Sequence, residues 1–412
     1  MIHSVAREIV CRLLSRSIAR GELVVVEEGE RRVFGSGVPT ATVQVNSPHV
    51  WPMLARGGRG MAESYMAGLW DSPDLTAVIR IAALNVHRLD EVRRRLAPAW
   101  ASWRGLRGAF ARNTPTRSRR DVSAHYDIGN DLFALMLDST MMYSCALFER
   151  EDATLEEASL AKLERVCERL DLGPRDHVIE IGTGWGGFAV HAAATRGCRV
   201  TTTTISREQH DYAVARVREA GLEDHVTVLL DDYRDLRGSY DKLVSIEMIE
   251  AVGSRDFGTF FARCSELLKP DGAMFLQAIT IDDRAYQLEK SSKSFIRTYI
   301  FPNGCLPSRE VIARCLGRRT DLSTVDLEDI TPHYAETLRR WRANFDAAGE
   351  LLSALGYDGR FRRLWRLYLS YCEAGFVERR IGLVQMVLAK PQWRAAVPGA
   401  GEPLALISAA AG

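Results

Sequence analysis

No apolar run in this chain approaches the roughly 18 residues needed to span a bilayer, so no transmembrane helix is expected. Its eight cysteines form no C-x-x-C pair and no Cys/His cluster with zinc spacing. A chain of 412 residues needs no disulfide staples. These absences point to a reducing cytoplasm and to no metal. A cationic segment followed by an apolar core and a small-residue cleavage site is missing from the N-terminus, so no secretory signal is expected. Excess charge is missing too. The formal net charge is +1, so no global field recruits nucleic acid or another acidic partner. Internal repeats are absent. Binding to a membrane surface survives all of these exclusions.

The chain is 46% hydrophobic and 26% charged, which suffices for two or three packed domains. Residues 1–103 read as a small α+β unit. IHSVAREIVCRLLSRSI has helical spacing, GELVVVEEG and TATVQVNS read as strands around the turn residues GSGVP, and two helical stretches follow. Residues 104–120, RGLRGAFARNTPTRSRR, hold six arginines and no acid. This reads as a linker, either simply solvated or attracting anionic headgroups at about 1 kcal/mol per basic residue.

From 121 to 391 strands and helices alternate, which implies a parallel sheet covered on both faces. HVIEIG, RVTTTTI, VTVLL, KLVSIEM and AMFLQAITI read as strands. Thr154 with Glu157, and Ser206 with Gln209, read as capping boxes. Helices dominate 284–378, GLVQMVLAK reads as a last strand, and 392–412 is a tail.

EIGTGWGG (180–187) lies between the first of these strands and its helix and contains G-x-G-x-x-G at Gly182, Gly184 and Gly187. Glycines there let a ligand approach outward-pointing helix N–H groups, a geometry shared by several cofactors. A nicotinamide site expects an acid about 20 residues on. Here the second strand ends TTTTIS, and Glu180 stands directly before the glycines instead. That arrangement resembles S-adenosylmethionine-dependent methyltransferases, which hold the adenine near the position of DDYRD (231–235). MMYSC (141–145) leaves a separate question. A lone cysteine beside apolar residues is more often a small core hydrophobe than part of a reaction site, and for Cys145 both readings stay open at this point.

AHYDIGNDLFALMLDSTMMYSCALFE, EIGTGWGG, DDYRD, SIEMIEAVG, YIFPNGCLPS and HYAETLRRW occur in this order. Together they resemble the cyclopropane-fatty-acyl-phospholipid synthases and mycolic acid cyclopropane synthases over about 120–391, with closest likeness to the tuberculostearic acid methyltransferase branch. The resemblance implies a class I S-adenosylmethionine methyltransferase fold. That fold has a mostly parallel seven-stranded sheet, an antiparallel last strand, a helical insertion and a small N-terminal domain. It also implies C-methyl transfer to the cis double bond of phospholipid acyl chains, giving a cyclopropane or a methylene branch. The expected setting is the inner membrane surface, and the resemblance leaves a homodimer open.

An isolated alkene is a poor nucleophile, so the sulfonium methyl supplies the electrophile and the acyl chain is left as a carbocation. The site must exclude water, align the reactants and provide a base. In the family that base is a bound bicarbonate. Residue-by-residue likeness puts its cage at Cys145, Glu250, Ile279 and Tyr334, with Gln277 where ring-forming members carry histidine. Tyr143, Ser144, Glu180, Gly182, Gly184, Gly186, Thr203, Thr204, Gln209, Asp232 and Tyr233 match cofactor positions. His125 and Tyr126 open the family's HYD motif. Phe295, Tyr299, Phe301, Trp341, Phe345, Trp365 and Tyr368 divide between an acyl tunnel and plain core. Arg362, Arg363 and Arg366 read as a solvated helix face. Three other readings stay open: methylation of a small soluble acceptor, a non-catalytic lipid-binding relic, and a dinucleotide oxidoreductase.

Overall fold

The structure, a computed structural model, describes residues 2–54, 57–86, 129–291 and 294–394. The arginine-rich stretch 104–120, His125, Tyr126 and the tail beyond 394 lie outside them.

Helix α1 (Ile2–Ser17) precedes a four-stranded sheet of order β2-β1-β3-β4. Its strands are β1 (Gly21–Glu27), β2 (Glu30–Ser36), β3 (Thr40–Val45) and β4 (Trp70–Asp71). The run Leu23-Val24-Val25 is buried and makes β1 legible as a strand. ERRVFGS buries only Phe34, so β2 escapes a reading by apolar pattern. Helices α2 (Gly58–Met66) and α3 (75–86) complete this unit.

The second sheet has the order β10-β11-β9-β8-β5-β6-β7. It comprises β5 (His177–Ile181), β6 (Arg199–Thr203), β7 (Val226–Leu229), β8 (Tyr240–Ile246), β9 (Leu268–Ile281), β10 (Ser323–Asp329) and β11 (Ile381–Ala389). β9, β8, β5, β6 and β7 are mutually parallel, and β11 runs antiparallel between β9 and β10. Strands buried on both faces read as apolar runs, and β5, β8 and β9 carry such runs at Val178-Ile179, Leu243-Val244 and Ala273-Met274-Phe275-Leu276. β10, STVDLED, is an exposed acidic edge strand inside a segment expected to be helical. Its pairing with β11 decides its conformation, not its own propensity. The helices used below are α4 (Asn130–Met136), α5 (Leu155–Arg169), α6 (Gly187–Arg196), α7 (Arg207–Glu219), α8 (Ile249–Val252), α9 (Thr331–Ala347) and α10 (Gly359–Val377).

Thr154 and Glu157 form the expected reciprocal box at the start of α5. Ser206 accepts from Gln209 N at the start of α7, but the Gln209 side chain turns to Thr204 instead of closing a box.

One cluster of buried residues runs from Val25, Trp70 and Ile81 through Phe133 and Cys145 to Tyr334, Trp365 and Phe376. The N-terminal unit thus has its own sheet but shares its apolar core with α9 and α10. Polar contacts fasten the same face. Arg363 donates to the carbonyls of Tyr65 (2.5 Å) and Trp70 (2.7 Å), pairs with Asp71 (2.8 Å) and lies 4.1 Å over the Tyr65 ring. Thr76 donates to Glu373 (3.0 Å), and Arg80 pairs with Glu378 (2.7 Å). The expectation of a solvated arginine face is corrected for Arg363, which is held by the N-terminal unit, and for half-buried Arg362, which donates to Gly349 O; Arg366 is exposed, as expected, and pairs with Asp346.

Candidate active site

The glycine loop leaves β5 with Gly182 at φ 107°, Gly184 at φ 52° and Gly186 at φ 82°, all in the region that favours glycine. A Cβ on Gly184 would meet nothing within 4 Å, so the loop leaves open space at this point. Ten of the eleven residues matched to the cofactor line a single cavity. They are Tyr143, Ser144, Glu180, Gly182, Gly184, Thr203, Thr204, Gln209, Asp232 and Tyr233. Gly186 is outside it. It caps α6 in the left-handed conformation, and a Cβ there would stand 3.2 Å from Ala213 Cβ on α7.

Glu180 is buried and organises the loop indirectly. Its carboxylate accepts from Thr202 Oγ1 (2.6 Å), and Thr202 shares a hydrogen bond with Thr183 of the loop (2.7 Å). Burial pushes the Glu180 carboxyl up to about 8. The end of β6 carries no acid. Thr203 donates to Asp231 O (2.6 Å) and Thr204 to Gln209 Oε1 (2.9 Å). The ribose-binding carboxylate of a nicotinamide site is therefore missing where such a site needs it. Asp232 holds Arg234 through both carboxylate oxygens (2.7 Å each).

On the β8 side of the cavity lies a residue the sequence reading passed over, Glu247. Its Oε1 accepts from Cys145 N (2.9 Å) and Gln277 Nε2 (2.8 Å), and its Oε2 from Tyr334 OH (2.6 Å). Glu247 also lines the cavity that holds the ten matched residues. It is a non-glycine residue at φ 51°, a conformation costing on the order of 1 kcal/mol. Its N–H donates to Gln277 O (2.8 Å), which helps hold it there. The signal for it was present in the sequence. EMIE places two acids three residues apart at the carboxyl end of a parallel strand, where open α/β sheets bind ligands.

The five residues matched to the reaction site gather around this group. Gln277 is fully buried, and its Oε1 accepts from Gln385 Nε2 (2.9 Å) directly across the β9–β11 pairing. That contact turns the Gln277 amide nitrogen toward Glu247. Tyr334, on α9, stacks on Phe376 with ring centroids 4.2 Å apart, and burial holds its hydroxyl protonated. Ile279 contributes its N–H, which donates to Glu250 Oε1 (2.5 Å). Glu250 Oε2 is buried without a partner. Burial, reinforced by Glu247, raises the Glu250 carboxyl to about 8. Cys145 takes part through its backbone. Its thiol is completely buried, receives a long contact from Thr337 (3.8 Å) and is pushed well above its usual range by burial. Behind the cluster, fully buried Lys162 on α5 donates to Ser144 Oγ (2.8 Å). Burial lowers its ammonium to about 8, against the opposing pull of Glu247.

Aromatic rings close the site opposite the sheet. Phe133 of α4 contacts Tyr143, Trp185 and Trp365, and Tyr143 contacts Trp341 and shares a hydrogen bond with Tyr368 (2.7 Å). Phe295, Trp341, Phe345, Trp365 and Tyr368 are buried, and Tyr299 and Phe301 are partly so, all in the same cluster. Among the described residues no helix is long and apolar enough to cross a membrane, and no group of acids, histidines and cysteines could hold a metal.

A glycine cradle at the carboxyl end of β5, buried acids beside it and the strand order above define a class I S-adenosylmethionine-dependent methyltransferase. Coclaurine N-methyltransferase, at 18% identity and a TM-score of 0.57, shares this fold. The chain belongs to the mycolic acid cyclopropane synthetase family, whose model matches residues 113–386. It is 39% identical over 381 residues to the tuberculostearic acid methyltransferase UfaA1 of Mycobacterium tuberculosis, covering 87% of each chain. It is 36% identical over 365 residues to the cyclopropane-fatty-acyl-phospholipid synthase of Escherichia coli, covering 86% of this chain and 89% of that one. The solved cyclopropane synthase MmaA2 of Mycobacterium tuberculosis has 32% identity and a TM-score of 0.62, covering 66% of this chain and 98% of its own. The protein is a methyltransferase of the cyclopropane fatty acyl synthase type.

Proposed function

We propose that the protein transfers a methyl group from S-adenosylmethionine to the cis double bond of unsaturated phospholipid acyl chains, leaving a methylene branch. The observation that carries this reading is the shared wall of the site. Glu247, bonded to Gln277 and Tyr334, lines the same cavity as Gly182, Gly184 and Tyr143. A proton acceptor therefore stands beside the place where the methyl donor would sit. A buried aromatic enclosure suits alkene methylation in particular, because water would capture the cation, and an amine or hydroxyl acceptor leaves no such cation.

The open cradle at Gly184 and the partners of Glu180 fit the cofactor, which supplies an electrophilic sulfonium methyl when bound. Tyr143 and Ser144 would hold it from the aromatic side, with Thr204 and Gln209 on the strand side. The ring enclosure built by Phe133, Tyr143, Trp341 and Trp365 would orient the acyl chain and keep it dry. The methylene outcome is favoured over the ring by Gln277, an amide that cannot store a proton near neutral pH as imidazole can. Peripheral docking on a bilayer belongs to the same reading, since the substrate is part of a membrane. Residues 1–103 and the arginines of 104–120 are its candidate contacts.

The test is expression in a host whose phospholipids carry oleoyl chains, followed by mass spectrometry of the fatty acids. A mass gain of one methylene unit, with fragmentation placing an exocyclic methylene, is the expected result. Unmodified lipids, together with methylation of a soluble amine or hydroxyl compound, would sink the reading.

A further inference from the structure

The resemblance assigns the base to a bicarbonate ion held by the residues around Cys145, Ile279, Gln277 and Tyr334. Those residues do not fit one here. The N–H of Cys145, the amide of Gln277 and the hydroxyl of Tyr334 all donate to the Glu247 carboxylate. The N–H of Ile279 donates to Glu250. Every donor assigned to the ion is already engaged by a carboxylate of this chain. A further buried anion would stand beside two acids, with Lys162 as the nearby buried cation.

We propose that Glu247 is the general base of this enzyme and occupies, as a side chain, the position that the family resemblance gives to bicarbonate. The proposal rests on the acyl-methylating reading above. Glu247 shares the cofactor cavity's wall and presents both oxygens to a ring of three donors. Glu250 is the competing candidate. It does not line that cavity, and burial beside Glu247 keeps it protonated at neutral pH. Burial raises the Glu247 carboxyl as well, but the hydrogen bonds from Tyr334, Cys145 and Gln277 and the charge of Lys162 oppose that rise, whereas Glu250 keeps one oxygen unpartnered.

The step balances as follows. The alkene π pair forms a C–C bond to the sulfonium methyl while the S–CH3 bond breaks, its electron pair staying on sulfur. The adjacent acyl carbon becomes cationic. After a hydride shift, one proton of the new methyl passes to Glu247, and the C–H pair becomes the exocyclic C=C bond. Glu247 leaves the step as a neutral acid and returns its proton to solvent when the site reopens.

A chain with its own base does not need dissolved carbonate. Wild type assayed on oleoyl phospholipid vesicles in CO2-stripped buffer is expected to keep its rate. Glu247→Gly is the informative variant, because glycine favours the positive φ at 247 and the backbone should fold unchanged. It is expected to lose about 10²- to 10⁴-fold in turnover. Calorimetry should show S-adenosylmethionine binding retained. It should also show bicarbonate binding to the variant but not to wild type, with bicarbonate restoring part of the rate. If the variant neither binds nor responds to bicarbonate, Glu247→Gln decides: the same loss with cofactor binding intact supports the proposal. Wild type that stops on CO2 removal and restarts with bicarbonate overturns it, as does near-wild-type turnover by either variant without bicarbonate. Wild type that binds cofactor but methylates no acyl chain under any buffer refutes the acyl reading instead.

Discussion

Glu250 places one oxygen on a backbone N–H and leaves the other buried and unpartnered, so its ionisation is opposed by burial and by Glu247. The sign of the consequence follows from linkage. The folded carboxyl titrates near 8 and the unfolded one near 4.5, so the native state binds the proton more tightly. Stability is present below pH about 4.5 and is lost as pH rises through 8. Glu250→Gln removes this contribution. Urea unfolding at pH 6 and pH 9 should show the variant losing less stability than wild type over that interval. The difference should be on the order of 1 kcal/mol or more, since one pKa unit is worth about 1.4 kcal/mol. Equal losses in the two proteins would show that Glu250 ionises freely. Glu180 titrates in the same range through burial, so part of the slope should survive in the variant.

At the scale of elements, the glycine loop separates two uses of positive φ. Gly186→Ala would push a methyl to 3.2 Å from Ala213 Cβ and strain α6 against α7. It should cost about 1–3 kcal/mol in denaturant unfolding. Gly184→Ala meets no protein atom, so it should cost only the left-handed backbone penalty of about 1–2 kcal/mol. Its methyl enters the cofactor cavity, however, and calorimetry should show S-adenosylmethionine affinity falling by tenfold or more. Retained affinity in Gly184→Ala would remove the loop from the cofactor. Elements with strong apolar runs, such as β5, β8, β9 and β11, were legible in the sequence because burial on both faces leaves no polar alternation. β10 and β2 were not, since each is a charged strand whose conformation is fixed by pairing, β10 with β11 far along the chain and β2 with β1 across a tight hairpin. The site was legible wherever a motif marked it. Glu247 was hidden because attention fell on Glu250, three residues on, and only the turn into α8 reveals which carboxylate meets the donors.

For the molecule as a whole, the joint between the N-terminal unit and the catalytic sheet is a packed interior, not a tether. The family model matches residues 113–386 and leaves the N-terminal unit outside its span. In this chain the matching face of α10 carries Trp365, Tyr368 and Phe376 in the shared core, along with Arg363, whose partners lie across the joint. Deleting residues 1–103 should leave a folded sheet that binds S-adenosylmethionine, with a lowered melting temperature and new binding of a hydrophobic dye. Arg363→Ala in the full chain should cost about 1–3 kcal/mol by loss of charged hydrogen bonds. It should also speed hydrogen exchange in 58–71 first. A truncated protein as stable as the full chain would show that the joint contributes nothing.

Gln277 and Gln385 face one another across β9 and β11, and only the first touches Glu247. The second fixes which end of its partner's amide meets Glu247. Heredity therefore acts on this chemistry through two codons more than a hundred positions apart. Gln385→Leu would remove the donor to Gln277 Oε1 and loosen the amide whose nitrogen donates to Glu247, lowering turnover from a residue that does not itself touch Glu247. Gln277→His, the change toward ring-forming relatives, should shift the methylene-to-cyclopropane ratio by an amount that depends on residue 385. A double-mutant cycle read by gas chromatography of the methylated lipids should give a coupling of about 0.5–3 kcal/mol. Additive effects would mean that each position can drift alone. Coupled effects mean that an ancestor could change its product only after a permissive change on the opposite strand.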